Sequence, residues 1–398
     1  MPVPTYPYAY SSSQTQIGLA LETTHGTYAT PTLFIPTKSP NYKPDQIMIP
    51  DETLQGSMVK LYNLVRGLRY DTEKWTSFPY LTSFPAIIRG QLGSADTKTT
   101  AGTATALATA AAVGATTIKV KVAVAAGSYI VIAKTTSTVE THYVVSVSTT
   151  TLKLKLLTPL IYAHAATTAV TPLTDHKFSL LNNSGYGNQP PSYSITDYDG
   201  ERTRNLVSAQ QNKLTIKGNP TGLVTYDVTF LTNAATTHSG TVTWSWTRSV
   251  PPPAWTSVIL ITTTVVTRYQ DWTLDFSRTT KPIPALTGDS SYLLYFADAL
   301  TVKGKLNVLE ASGSPQLTAY EAGTVMKFDI MLFDYQTGNA FRFHSKKAVF
   351  KTTGGINRSK PEVTVTLTIT FLPTATTATT GGVSPCTVTI ANTTTTSY

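Results

Sequence analysis

The residue types that carry out chemistry are few in this chain and stand apart. Six histidines, His25, His142, His164, His176, His238 and His344, are scattered along 398 residues. None falls in an HExxH pattern or near the single cysteine, Cys386, so neither a zinc-binding helix nor a local thiol–imidazole pair can be drawn. The Gly-x-Gly at Gly185–Gly187 runs into Pro-Pro rather than a helix, which leaves no phosphate cradle. One acidic cluster, DYDGE at 197–201, offers Asp197, Asp199 and Glu201 as oxygen ligands for calcium. Its glycine is misplaced for an EF-hand and no distal glutamate completes it, so an Asp-Gly turn is the simpler reading. Trp244, Trp246, Trp255 and Tyr269 have the makings of a sugar- or base-stacking platform, although aromatics at strand spacing more often pack. The expectation is a non-enzymatic chain with no catalytic residue, metal or cofactor.

Composition turns attention to the scaffold. Charged residues make up 13% of the chain, about half the usual share, and threonine is roughly a fifth of it. A thinly charged surface favours self-association. The net charge of +9 is spread widely, with one denser stretch, FRFHSKKAVFKTTGGINRSK (341–360), holding Arg342, Lys346, Lys347, Lys351, Arg358 and Lys360. That stretch reads as strand edges and a loop, with polyanion binding as the alternative. One cysteine excludes an intrachain disulfide and permits folding in a reducing compartment. The opening MPVPTYPYAYSSSQTQ lacks the features of a signal peptide, and the most apolar window, 255–266, is too short and threonine-rich to span a bilayer. A soluble protein without a membrane span is expected.

The elements are predicted to be nearly all β. Residues 1–16 form a flexible arm, 17–39 give strands, and 39–57, with three prolines, read as a long loop. Residues 65–77 make a strand, and 78–93 a helix interrupted by Pro85 and closed by Gly90 or Gly93. Two Ala/Thr tracts bracket 95–172, which reads as an inserted small β domain projecting outward, with a charge of +4. The rest alternates as strands of a sandwich or barrel. In EVTVTLTITFLP (362–373), Val363, Val365, Leu367, Ile369 and Phe371 face a core while Thr364, Thr366, Thr368 and Thr370 face something else. Similar rows run along YDVTF (Thr225, Asp227, Thr229) and QDWTLDFS (Asp271, Thr273, Asp275, Ser277). These rows are neutral to acidic.

The order of segments resembles a known family. IGLALETTHGTYATPTLFIPTKS, a proline-rich loop ending LQGS, a glycine-containing strand and LTSFPAIIRGQLG are similar to the N-terminal part of the tail tube proteins (major tail proteins) of long-tailed, non-contractile bacteriophages. DHKFSLLNNSGYGNQPPSYSITDYDGERTRNL and FLPTATTATTGGVSPCTVTIANTTTTSY resemble later segments of that family. The resemblance covers about 17–94 and 173–398 and implies one discontinuous, mainly β tail-tube-type sandwich or barrel with a short flanking helix, the 95–172 insert lying on the tube exterior. It implies hexameric rings that stack into a tube, a virion protein assembled in the host bacterial cytoplasm. Its partners would be itself, a tape measure inside the tube, distal tail and terminator proteins at the ends, and double-stranded DNA in transit.

On that reading the Thr225, Asp227, Thr229, Asp271, Thr273, Asp275 and Thr364–Thr370 rows are candidates to line the bore, with the basic residues of 342–360 elsewhere. The loop 39–57, through Asp45, Asp51 and Glu52, would stack ring on ring. The rival readings are a β-rich receptor-binding protein or adhesin and, less simply, a glycan hydrolase with two facing carboxylates.

Overall fold

The computed structural model describes residues 12–53, 61–182, 189–245, 250–285, 292–309, 322–357, 364–377 and 382–398. Strands account for 56% of it and helix for 5%, so backbone ladders, not helix packing, set its geometry. The first eleven residues of the expected N-terminal arm, Gly185–Gly187 and Trp246 lie outside the described residues.

Seven antiparallel strands lie side by side in the order Asn63–Ser77, Thr225–Asn233, Thr203–Gly218, Tyr269–Ile283, Leu294–Leu309, Thr364–Phe371 and Ala340–Asn357. Their alternation puts Trp75, Tyr226, Phe230, Ile216, Trp272, Phe276, Leu306, Leu367 and Ile369 on one face, all buried. Trp75 stacks on Phe230 with centroids 5.1 Å apart. The sole α-helix among the described residues, Phe84–Leu92, packs into the same core through Phe84, Ile87 and Ile88. Pro85 does not interrupt this helix, as its sequence position suggested. It sits in the first turn, where its missing N–H costs nothing. Gly93 closes the helix at φ +88°, its N–H bonded to the Arg89 carbonyl.

Two strands change partners along their length. The first half of Thr203–Gly218 pairs with Tyr193–Tyr198, and the second half with Thr225–Asn233. The handover is at Ser208, a non-glycine residue at φ +56°. The buried Glu22 carboxylate holds it there, accepting the Ser208 N–H together with the Ser192 and Ser194 hydroxyls. Ala340–Asn357 likewise pairs first with Met326–Phe333 and Thr387–Asn392, then with Thr364–Phe371. Such changes of partner let the ladder curl and accompany the half-barrel form.

Residues Thr105–Pro172 contribute a separate six-stranded sheet with its own core of Leu107, Ile118, Val120, Ile130, Ile132, Val144, Leu154 and Val170. Just before it, Thr97–Thr99 pairs with Thr174–Ser179, so the chain leaves and returns side by side. The insert does not simply project. Tyr129, Val131 and Val139 pack on Leu173, Leu260, Met331 and Phe333 of the main body. Gly338, at φ +77°, lies so close to Val131 that an added Cβ would sit 2.7 Å from its side chain.

A candidate functional site: one polar sheet face and a bare hairpin arm

The solvent side of the seven-stranded sheet gathers residues from all three predicted rows. Reading across the ladder, Thr225, Lys217, Thr273, Lys305, Thr368 and Lys351 form one line of partners. Thr76, Asp227, Thr215, Asp275, Lys303 and Thr370 form the next. Lys74, Thr229, Lys213 and Ser277 flank it on one side, Asp271, Asn307 and Thr366 on the other. Thr364 continues the threonine row and is itself buried. All ten predicted bore residues therefore share one face.

This face is not neutral to acidic. Lys213 and Lys217 of one strand, and Lys303 and Lys305 of another, interleave with the predicted rows, and Lys74 and Lys351 join them. Six lysines oppose three aspartates. Lys351, from the 342–360 basic stretch, shares this face with the predicted rows. The reason is topological: each row was read along its own strand, while charge on a sheet face is set by cross-strand neighbours, whose order is not local in sequence.

The acids are already engaged. Asp227 accepts from Thr76 at 2.6 Å and pairs with Lys217 at 2.7 Å. Burial pushes its carboxyl up, but Lys217 and Thr76 more than offset this and hold it below the usual carboxylate range. Asp275 accepts from Thr215 at 2.6 Å. Asp271 accepts from Asn307, whose own oxygen accepts from Thr366. Among the described residues Lys213, Lys303 and Lys305 enter no ion pair. A depression of about 370 Å³ lined by Lys74, Lys213, Lys217, Thr229, Asp227 and Asp275 lies over the first four strands of the face.

The second feature replaces an expected loop. Within residues 39–57, Asn41–Asp51 is an eleven-residue strand paired along its length with Asn63–Ser77, and residues 54–57 lie outside the described residues. The prolines misled because they break central strands, whereas this strand is an edge, where Pro44 and Pro50 lose no ladder bond that a second neighbour needs. The outer part of the hairpin stands bare on both faces. Ile49 (52% exposed) lies opposite Val65 (53% exposed) on one side, and Pro50 opposite Leu64 on the other. Met48 and Ile47 are also exposed.

Its root is anchored hard. Fully buried Asp71 accepts from Arg69 Nε and Nη2 at 2.9 Å each, the Tyr42 hydroxyl at 2.5 Å and the Ala235 N–H at 2.7 Å. Of the predicted stacking acids, Asp45 pairs with Lys43 on the arm, Asp51 ends its strand and bonds Thr53, and Glu52 follows at the tip.

The remaining sequence candidates disperse or turn structural. In DYDGE, Arg204 binds Asp197 and Asp199, and Asp199 accepts the Glu201 and Arg202 N–H groups, which makes a turn and leaves no cation cage. Trp244 meets Phe34, Trp255 meets Tyr335, and Tyr269 bonds the Ser257 carbonyl, so among the described residues no shared platform forms. The histidines, separate in sequence, are not all separate in space. Glu140 binds His142 at 3.0 Å and His164 at 2.5 Å inside the insert and accepts the Ile161 N–H. Among the described residues no group of three or more His, Cys, Asp or Glu is placed to hold a metal, and no helix is long and apolar enough to cross a membrane. A scan against protein-family models and a search of curated proteins each return no match.

Proposed function

We propose that the chain is a structural subunit that polymerises as stacked rings into the tail tube of a long-tailed bacteriophage, the conduit for its double-stranded DNA. The observation that carries this reading is the hairpin arm, apolar and uncovered on both faces. A strand pair with no dry side gains nothing by extending into water, and gains burial only against another surface. Obligate contacts of this kind commonly bury about 2,000 Å² or more, and copies of the same chain are the partner that a thinly charged, threonine-rich surface suits.

The polar face is the proposed bore wall. Its aspartates are tied to neighbouring side chains and its lysines are spaced by threonines, so phosphates meet a weak positive field, not a continuous cationic track. Passage of DNA over such a wall should be brief and sensitive to salt.

Electron microscopy of the purified chain at rising concentration tests the reading. Hollow stacked rings are expected, and a map of them should place Lys213, Lys303 and Lys305 on the inner wall. Rings with this face outermost would refute the bore assignment, and glycan-binding monomers would favour an adhesin.

A further inference from the structure

Arg278 is the only buried lysine or arginine among the described residues, 3% exposed on the strand Tyr269–Ile283. Among the described residues its guanidinium has no carboxylate partner. One Nη donates to the Leu92 carbonyl across 3.4 Å, and Nε has no acceptor. Burial pushes its pKa down to about 10, so at neutral pH it remains a cation in apolar surroundings. An unpaired buried charge is costly, and folded chains normally supply it with a partner.

That guanidinium borders a cleft of about 500 Å³. Its walls are largely apolar, with Leu180, Phe296, Leu300, Phe371 and Val383 among them, and Asn182, Gln189, Thr301 and Thr370 add polar atoms. The one acid on the rim, Asp298, is exposed and accepts the Ala299 N–H. The site thus suits an apolar segment that brings a carboxylate with it.

The same chain displays such a segment. On the arm, Ile47, Met48 and Ile49 are exposed and run directly into Asp51 and Glu52. We infer that the Arg278 cleft is the receptor for the hairpin arm of a second copy, with apolar arm residues on Phe296 and Leu300 and an Asp51 or Glu52 carboxylate at the guanidinium. Arm and cleft are different surfaces, so the contact is head-to-tail and propagates from copy to copy. The inference rests on the self-assembly reading and names the surface that receives the arm.

Crosslinking in the full chain tests it. Met48→Cys and Phe296→Cys, both at exposed positions, are made singly and together; the native Cys386 is fully buried. With a short bismaleimide, the double variant should give a ladder of multimers, and the two single variants should give a dimer only when mixed. Asp51→Asn with Glu52→Gln, isosteric changes at the end of the arm outside the core, should lower the crosslink yield about tenfold. Arg278→Gln should do the same and Arg278→Lys should restore part of it.

An unchanged yield in the Asp51/Glu52 variant overturns the inference whatever Arg278→Gln does to folding. No crosslink in a chain that still oligomerises by sedimentation also overturns it, and leaves the self-assembly reading standing. No crosslink in a chain that stays monomeric at every concentration removes both.

Discussion

Glu140 shows how a charge can serve as a fastener in a chain with so few of them. Burial alone would raise its carboxyl, yet hydrogen bonds from His142, the Ile161 N–H and His164 outweigh that and hold it below its ordinary value. A carboxyl with a depressed folded pKa contributes stability that is fully present above the unfolded value of about 4.3 and is lost as pH falls through the folded one. Acid titration followed by tryptophan-independent circular dichroism should therefore show the insert loosening below pH ~4. Glu140→Gln should remove that acid step and cost about 1–3 kcal/mol at pH 7, since it leaves buried donors facing an amide. The cluster was illegible in sequence because Glu140 and His164 are 24 residues apart and no motif spacing links them.

At the scale of elements, the arm separates folding from assembly. Ile47→Ser, Ile49→Ser and Val65→Ser together replace residues that touch little in the single chain, so the melting curve should change by no more than surface substitutions usually do, about 0.5 kcal/mol each. Sedimentation velocity should nonetheless show the loss of higher oligomers. Deleting 39–57 outright is a poorer test, because it also strips Asn41–Asp45 from the edge of the strand that carries buried Asp71 and Trp75. Strand faces were legible throughout, as in Thr364–Phe371, because a period of two is a local property. The arm was hidden by edge prolines, and the lysines of the polar face by strand order: nothing near Thr368 in sequence announces Lys305 beside it.

For the whole molecule, the insert is a second core bolted to the first. Tyr129 and Val131 cover Met331 and Phe333, and Arg342, paired with Asp329 at 2.6 Å, lies over the Tyr143 ring at 5.1 Å. Excising Thr105–Pro172 should therefore not yield a clean smaller subunit. It should expose Leu173, Leu260, Met331 and Phe333 and produce a protein that binds a hydrophobic dye and precipitates. A fully soluble deletion variant with an unchanged melting temperature would show that the junction carries no weight.

The strand Asn63–Ser77 begins on the bare arm and ends beside Trp75 in the middle of the core. It behaves as a tie rod. Tension applied at the arm tip runs along the strand axis, while the ladder bonds on either side lie across it, so those bonds are loaded in shear and share the strain together. Peeling them one at a time would take a sideways pull. A lengthwise tug between copies should then slip the arm off its neighbour before it draws the strand out of its own body, and repeated stretching should be elastic and without wear.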